Sequence, residues 1–358
     1  MSAMDPVAHT LFGATLAETG LRRLSRLATP TLVIGANLPD IDAVAMLAGR
    51  DTSLLVRRGM THGVLAMVAL PLLLAGGMWA WNRYREGPQD GPPFRLSAIL
   101  GLSFLAVWSH PLLDWMNTYG VRLLMPFDGR WFYGDTLFIM DPWFWLMAAA
   151  GVVLARSRTR PAVVGWSILG TLASLLVLLH PTVPAAAKVL WTFGLAAIVA
   201  LRRGRRKNEL PRHVARAGLA SLLLYLGLVY GMARAAENMA AGDTTPIEAQ
   251  ANPVAARPHQ HRVVLVYEDR YTVMPPDAEP FDVPRQPTDA VVTAALEAPS
   301  VRGFANWMRF PYWETEPQPD GGWLVTIRDL RYVDPGEPAR GIGLVQVRLD
   351  KELRPVSD

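Results

Sequence analysis

The sequence of 358 residues contains no cysteine. Disulfide bonds, thiolate zinc sites and a cysteine nucleophile are therefore excluded. Charge is also scarce, at 18% of the residues, whereas an average soluble domain has about a quarter. The first residues, MSAMDP, lack the basic segment that begins a cleavable signal peptide. What the chain does contain is apolar residues, at 51% of the total, and these predict a membrane protein.

The apolar residues are concentrated in residues 1–240, which are rich in Leu, Ala, Val and Trp. Several apolar stretches reach the length of about 18 residues that spans a bilayer. They lie near residues 7–21, 27–48, 61–82, 95–116, 137–155, 162–180, 184–201 and 214–234. We predict a mainly α protein with a polytopic membrane domain of about eight helices. The first stretch is short and the second carries acids, so these two helices are expected to be partial or re-entrant.

A small soluble domain is predicted to follow the membrane helices. Residues 241–260 are polar and turn-rich, which is typical of a linker. Residues 261–358 contain strand-like runs at 261–273, 322–333 and 341–350, and one short helix is expected at 291–298. The predicted fold is therefore a helical membrane domain joined to a β-rich domain.

The basic residues predict the orientation of the chain in the membrane. Fifteen Lys and Arg residues lie in one alternating set of connections and six in the other. The positive-inside rule makes the first set cytoplasmic, so both termini and the β-rich domain are expected to be extracytoplasmic. The pI near 9.5 is explained by these arginines beside apolar segments. We therefore expect membrane lipid as a partner and no nucleic acid.

Among the ionisable residues in or beside the predicted membrane segments, six histidines and aspartates stand out. On the predicted topology all of them lie near the outer membrane face. Ionisable groups inside membrane segments are rare and costly, and they usually mark functional sites. Taken singly, a histidine at a helix end is most often a surface or capping residue, and an aspartate after proline is often a turn residue. The convergence of six favours a metal or catalytic site made by His9, Asp40, Asp42, His62, His110 and Asp114.

The local sequence suggests how these side chains meet. His110 and Asp114 are four residues apart and project from one face of a helix, as two ligands of one metal do. Pro39 should break its helix, so that Asp40 and Asp42 point into one pocket from a non-helical turn. Imidazoles and carboxylates together suit zinc above all, with manganese or iron as alternatives, in a site of one or two ions.

The predicted activity is hydrolysis of an ester or phosphoester in an amphiphilic, lipid-like substrate by a metal-activated water. Asp40 or Asp42 is the expected general base. Arg58, beside Arg57 at the same lip of the membrane, is expected to pair with a phosphate oxygen or to stabilise negative charge. The alternative is a transporter or an envelope-assembly factor in which the same cluster binds ions without catalysis. A transporter would more naturally bind at the midplane between repeats.

The order and spacing of four segments resemble the YdjM-like (DUF457) family of LexA-regulated inner-membrane metal-dependent hydrolases. These segments are DPVAHTLFG, NLPDID, RRGMTHG and SHPLLDWMNTYGVRLLMPF. The resemblance covers roughly residues 4–155, and the later helices and β-rich tail resemble longer bacterial members. It implies a multi-pass protein of the bacterial inner membrane with a divalent metal, and its pattern falls on the same six residues.

Two positions depart from that family's pattern. Many members have a histidine where this chain has Arg57, and another where it has Ala43. If either histidine is a ligand in those relatives, this chain lacks it. The departure weakens the expectation of a two-metal site more than that of a single-metal site.

Overall fold

The computed structural model describes residues 5–85, 91–204, 210–338 and 341–356. Part of the basic loop used for the orientation, Arg205, Arg206 and Lys207, lies outside the described residues. Each of the eight apolar stretches contains a helix, and one further short helix lies between the second and third. The helices of this half are α1 (Pro6–Glu18), α2 (Ala28–Gly35), α3 (Arg50–Val56), α4 (Ala66–Tyr84), α5 (Leu96–Trp115), α6 (Pro142–Arg156), α7 (Arg160–Leu179), α8 (Ala185–Arg203) and α9 (Leu210–Ala241).

Within the described ranges, fewer than eight helices are long and apolar enough to cross a membrane. Four qualify, namely α5, α7, α8 and α9. A fifth span is formed if α2 is joined to the 3-10 helix Leu38–Ala48, which follows it at a bend of 41°. We call this second element the PDID helix, after the sequence it contains. The expectation that the first two apolar stretches are partial is confirmed, since α1 has 13 residues and the second stretch is broken.

Small residues bring the first helices into close contact. A Cβ atom on Gly13 of α1 would lie 2.5 Å from the carbonyl oxygen of Leu32 in α2. A Cβ atom on Gly35 would lie 2.7 Å from that of Ala106 in α5. Glycine lets helix backbones approach in this way, as is common between membrane helices. This packing of α1, α2 and α5 places their polar residues side by side.

The C-terminal half has two antiparallel sheets and two short helices. One sheet has the order β1–β2–β3–β4, from β1 (Glu248–Val254), β2 (Arg257–Val266), β3 (Arg270–Met274) and β4 (Phe281–Pro284). The other has the order β5–β6–β7, from β5 (Pro311–Pro317), β6 (Trp323–Asp329) and β7 (Leu344–Leu349). The helices are α10 (Ala290–Glu297) and α11 (Arg302–Trp307). The β-rich character predicted for this half is confirmed.

Two details of the C-terminal half differ from the sequence prediction. The run 261–273 is not one strand: β2 and β3 form a hairpin, and the polar residues 267–269 make its turn. The stretch 241–260, expected to be a linker, contains β1 and the start of β2. The backbone there is paired across β1 and β2 along the whole length of β1, so a polar composition did not prevent strand formation.

Candidate metal centre

The PDID helix owes its position to the break at its start. Helix α2 ends at Gly35, and Asn37 with Pro39 begins a 3-10 helix instead of continuing the α-helix. The break leaves the carbonyl oxygen of Ala36 available to a neighbouring helix. It accepts a hydrogen bond from Nδ1 of His110 in α5, at 2.7 Å.

Four side chains converge beside this break. One ligand atom from each of Asp40, His62, His110 and Asp114 lies within 4.8 Å of the other three. Nε2 of His62 is 3.2 Å from Oδ2 of Asp114 and 4.0 Å from Oδ1 of Asp40. Nε2 of His110 is 3.4 Å and 3.6 Å from the same two oxygens. The predicted pairing of His110 with Asp114 across one helix turn is therefore part of a four-residue cluster.

The converging atoms have no hydrogen-bond partner among the described residues. This is unusual, because buried polar atoms nearly always have one. Since Nδ1 of His110 donates its proton to Ala36, a neutral His110 presents the lone pair of Nε2 to two carboxylate oxygens. A proton on Nε2 relieves that arrangement for His110, whereas a metal ion relieves it for all four atoms together.

The separations suit a small divalent ion. Nitrogen and oxygen ligands about 2.0–2.2 Å from a tetrahedral zinc ion lie about 3.3–3.6 Å from one another. The four measured nitrogen–oxygen separations run from 3.2 to 4.0 Å. Two imidazoles and two carboxylates are also a donor set that zinc, manganese and iron accept. The cluster could hold one metal ion without large rearrangement.

Asp42 lies beside the cluster but is not one of its four members. Its Oδ2 accepts hydrogen bonds from the backbone N–H of Arg58 at 2.9 Å and from Oγ1 of Thr61 at 2.7 Å. The same oxygen is 3.4 Å from Nδ1 of His62. A carboxylate on the far nitrogen of a metal-binding histidine orients the ring and fixes its tautomer. Asp40 and Asp42 thus face different partners and do not point into one pocket.

Arg58 is held on the opposite side of Asp114 from the four-atom cluster. Its guanidinium donates to Oδ1 of Asp114 at 3.0 Å, to Oδ1 of Asn117 at 2.8 Å and to the carbonyl of Gly120 at 3.0 Å. Its backbone has a φ of 52°, a conformation rare for residues other than glycine and common at functional sites. The arginine is 1% exposed, and it leaves Oδ2 of Asp114 to face the cluster.

His9 also approaches Asp114 from the Arg58 side. Its Nε2 lies 3.3 Å from Oδ1 of Asp114, and its ring stacks on that of His110 with centroids 3.9 Å apart. A cavity of about 30 Å³ adjoins these groups, which is room enough for ordered water. Its polar lining comes from Asp5, His9, Arg58, Asp114 and Asn117.

All six residues named from the sequence therefore lie together, in two layers. Asp40, His62, His110 and Asp114 form the cluster, while His9 and Asp42 contact its members from outside. Sequence reasoning did not identify Thr61, Asn117 or the Ala36 carbonyl as supporting groups. Thr61 adjoins His62, and Asn117 follows Asp114 by three residues, so proximity in the chain was the available signal.

The backbone around His62 is in close contact with the loop that follows α5. A Cβ atom on Gly63 would lie 2.2 Å from the carbonyl oxygen of Met125. A Cβ atom on Gly59 would lie 2.7 Å from a guanidinium nitrogen of Arg122. Glycine at both positions lets the loop that follows α5 pack directly on the segment that carries His62.

Comparison with known families adds an independent line of evidence. The profile of the YdjM inner membrane protein family matches residues 4–183, about half of the chain. This chain belongs to the YdjM inner membrane protein family. The matched YdjM region contains all six residues of the site, and it ends well before the β-rich domain begins. With the apolar helices, membership supports the expected membrane location.

A similar curated protein is YfhP of Bacillus subtilis (strain 168), which is itself described as uncharacterized. It is 22% identical to this YdjM-family chain over 170 residues, which cover 46% of the chain and 44% of YfhP. The chain therefore matches less than half the length of that relative. No solved structure matches the chain at a significant level.

Proposed function

We propose that this protein is an integral membrane metal-dependent hydrolase that acts on an ester or phosphoester of an amphiphilic substrate. The observation that carries the proposal is the buried convergence of four unpartnered ligand atoms from Asp40, His62, His110 and Asp114. A structural metal site is normally closed by all its protein ligands. Here the Asp40 side chain is 15% exposed, whereas those of His62, His110 and Asp114 are almost fully buried. Asp40 is therefore the member of the cluster nearest the surface, and we propose that a reacting molecule approaches from its side.

The four residues of the cluster would hold the divalent ion, for which zinc is the expected choice. When bound, such an ion polarises a carbonyl or phosphoryl oxygen and lowers the pKa of water to near neutrality. Asp42 orients His62, and its Oδ1 has no hydrogen-bond partner among the described residues. Because Asp42 lies on the far nitrogen of His62, outside the cluster, we assign it this orienting role, and Asp40 would serve as the general base if it does not hold the ion.

We assign Arg58 a positioning role. Its two terminal nitrogens already donate to Asp114, Asn117 and Gly120, so they are committed to the protein. By holding Oδ1 of Asp114, Arg58 aims Oδ2 at the cluster. It also supplies a buried positive charge beside the Asp114 carboxylate, which offsets part of the repulsion between Asp114 and Asp40.

The position of the cluster favours hydrolysis over transport. His110 and Asp114 lie in the last two turns of α5, at the end of a span, whereas transporter sites lie near the midplane. A site at that depth meets the headgroup end of a lipid, where ester and phosphoester bonds are found. This is the reason for proposing an amphiphilic substrate.

The test is turnover of a panel of long-chain carboxylic esters and phosphoesters by the purified full-length protein in lipid vesicles. We expect product formation that stops with a chelator, returns with zinc, and is absent from His62→Ala. His180→Ala is the matched control, because that histidine lies at the exposed end of α7 and its side chain bonds only to Thr182 among the described residues. Turnover that His62→Ala retains, or a metal-loaded protein inert toward the whole panel, would contradict the proposal.

A further inference from the structure

The C-terminal domain covers the loops that follow the site. Nε1 of Trp307 donates to the carbonyl of Tyr119 at 3.0 Å, and a guanidinium nitrogen of Arg331 donates to the carbonyl of Thr118 at 2.7 Å. The backbone N–H of Gly303 donates to the Asp51 carboxylate at 2.6 Å. These contacts join α11 and the end of β6 to the loop after α5 and to α3.

The aromatic ring of Tyr119 connects the C-terminal domain to the residues of the metal centre. The ring of Tyr119 packs against that of Trp307, with centroids 5.0 Å apart, and the guanidinium of Arg58 lies 4.7 Å from the centre of the Tyr119 ring. Burial raises the pKa of Tyr119, so the phenol remains neutral beneath the domain. Arg58 in turn holds Asp114. The C-terminal domain, Tyr119 and Arg58 therefore cover the cluster on the side of Asp114, where the cavity of about 30 Å³ also lies.

Asp40 is the least buried member of the cluster, with a side chain 15% exposed, although its Oδ1 atom is itself buried. The PDID helix carries this residue, and its other outward-facing side chains are large and apolar. Ile41, Val44 and Leu47 are 63%, 65% and 89% exposed. Such exposure would be costly in water over so short a segment. The PDID helix is also part of the bent pair that qualifies as a membrane span, so these side chains face lipid.

The segment that carries His62 borders Asp40 on the other side. Oγ1 of Thr61 bonds to Asp42 of the PDID helix, so the two elements are in direct contact. Next to Thr61, the side chains of Met60, Val64 and Leu65 are exposed and apolar. Asp40, the least buried member of the cluster, is therefore bordered on both sides by apolar surface, which is the kind of surface that acyl chains contact.

We propose that the substrate reaches the metal centre sideways from the bilayer, between the PDID helix and the segment 60–65. The substrate class is then a membrane-resident lipid, with its ester or phosphoester group at Asp40 and its acyl chains along Ile41, Val44 and Leu47. This inference rests on the proposed function for the identity of the reacting bond. The route itself depends only on two features: the C-terminal domain covers the cluster on the side of Asp114, and Asp40 is the least buried member of the cluster.

The absence of native cysteine allows a direct test of the route. The full chain with the substitution Asp40→Cys is placed in lipid nanodiscs, and any metal is removed with a chelator. It is then treated either with a lipid-soluble benzyl methanethiosulfonate or with its charged trimethylammonioethyl counterpart. For each reagent, the labelling rate at residue 40 is divided by the labelling rate of the variant Glu316→Cys, which carries the cysteine at an exposed position on β5. We expect the charged reagent to be slower at residue 40 by at least about tenfold relative to the neutral one, because charge is excluded from the apolar bilayer.

Equal relative rates for the two reagents would overturn the inference, because they would show an aqueous route. If Asp40→Cys does not fold, Thr61→Cys in the segment 60–65 replaces it, with the same expectation. A second measurement attaches a fluorophore at Val44→Cys, which brominated lipid should quench more strongly than aqueous iodide; the reverse order would also overturn the route. Neither readout requires turnover, so an inactive protein with lipid-side labelling would refute the hydrolase proposal and leave the route standing.

Discussion

The membrane domain and the C-terminal domain each bury a cluster of charged side chains, and the two clusters differ in their hydrogen bonding. In the C-terminal domain, Arg331 and Asp329 are both fully buried and form a bidentate pair. The remaining donors of Arg331 bond to the carbonyls of Thr118 and Trp307, and Asp329 also accepts from the backbone of Arg309. In the membrane domain, four atoms of Asp40, His62, His110 and Asp114 have no such partner in the part of the chain that the structure describes.

The difference separates a structural cluster from a functional one. Burial alone would lower the pKa of the Arg331 guanidinium, but Asp329 raises it above its ordinary value, so the pair stays charged and internally satisfied. Such a pair fixes the geometry of a fold and needs no ligand. A buried cluster whose free atoms face one another is incomplete without a cation. The contrast yields three predictions, ordered from the largest effect to the smallest.

The largest effect is expected from removing both nitrogens of the incomplete cluster. Four-ligand zinc sites in small domains bind with about 10–16 kcal/mol, so the loss of two ligands should weaken binding by more than about 1,000-fold. His62→Ala/His110→Ala should therefore be purified with almost no metal, as measured by elemental analysis. The matched control is His180→Ala/His213→Ala, which removes two histidines that are exposed in the structure.

Wild-type metal content in His62→Ala/His110→Ala would show that the convergence is not the binding site. Both double variants are compared at equal recovery of monodisperse protein, so that a folding defect is not read as metal loss. Equal loss of metal from His62→Ala/His110→Ala and from the control His180→Ala/His213→Ala would also show that the convergence is not the binding site.

The features of the site that were predictable from the sequence are those set by local geometry. The spacing of His110 and Asp114 placed both on one helix face, and Pro39 predicted the break that begins the PDID helix. The different positions of Asp40, in the cluster, and Asp42, beside it, were not predictable without knowing that the break leads into a 3-10 helix. With three residues per turn, side chains two positions apart point about 120° away from each other, so the two carboxylates face different partners.

The contacts of the C-terminal domain were not predictable for a different reason. The hydrogen bond from Arg331 to Thr118 joins residues 213 positions apart, and no periodic pattern reaches across such a distance. The sequence showed that the domain is β-rich, because strand propensity and alternation are local. Its placement over Tyr119 is a property of tertiary packing alone.

The second prediction concerns the satisfied cluster. Arg331→Met leaves Asp329 buried without its partner, which should lower the free energy of unfolding by about 3–5 kcal/mol. Denaturant or thermal unfolding of the purified protein measures the loss. Metal content per folded chain should remain at the wild-type value, because this pair supplies no ligand.

Two further variants sharpen this second test. Arg348→Met removes an arginine whose pair with Asp320 is exposed, so its effect should be within about 1 kcal/mol. Arg331→Met/Asp329→Leu removes both buried charges and should be more stable than Arg331→Met alone. If Arg331→Met unfolds like the wild type, the pair does not have the structural role assigned to it.

The smallest effect is expected from the residue that supports the incomplete cluster from outside. Asp42→Asn keeps the shape of the side chain but replaces a charged acceptor beside Nδ1 of His62 with a neutral amide. Loss of such an outer carboxylate typically weakens metal affinity by about 10–100-fold, which a competitive zinc titration resolves. Asp128→Asn, in an exposed loop where the carboxylate bonds to Arg130, should leave the affinity unchanged. A loss as large as that of the double histidine variant would instead make Asp42 a ligand, and the inner layer of the site would then have to extend outward to include it.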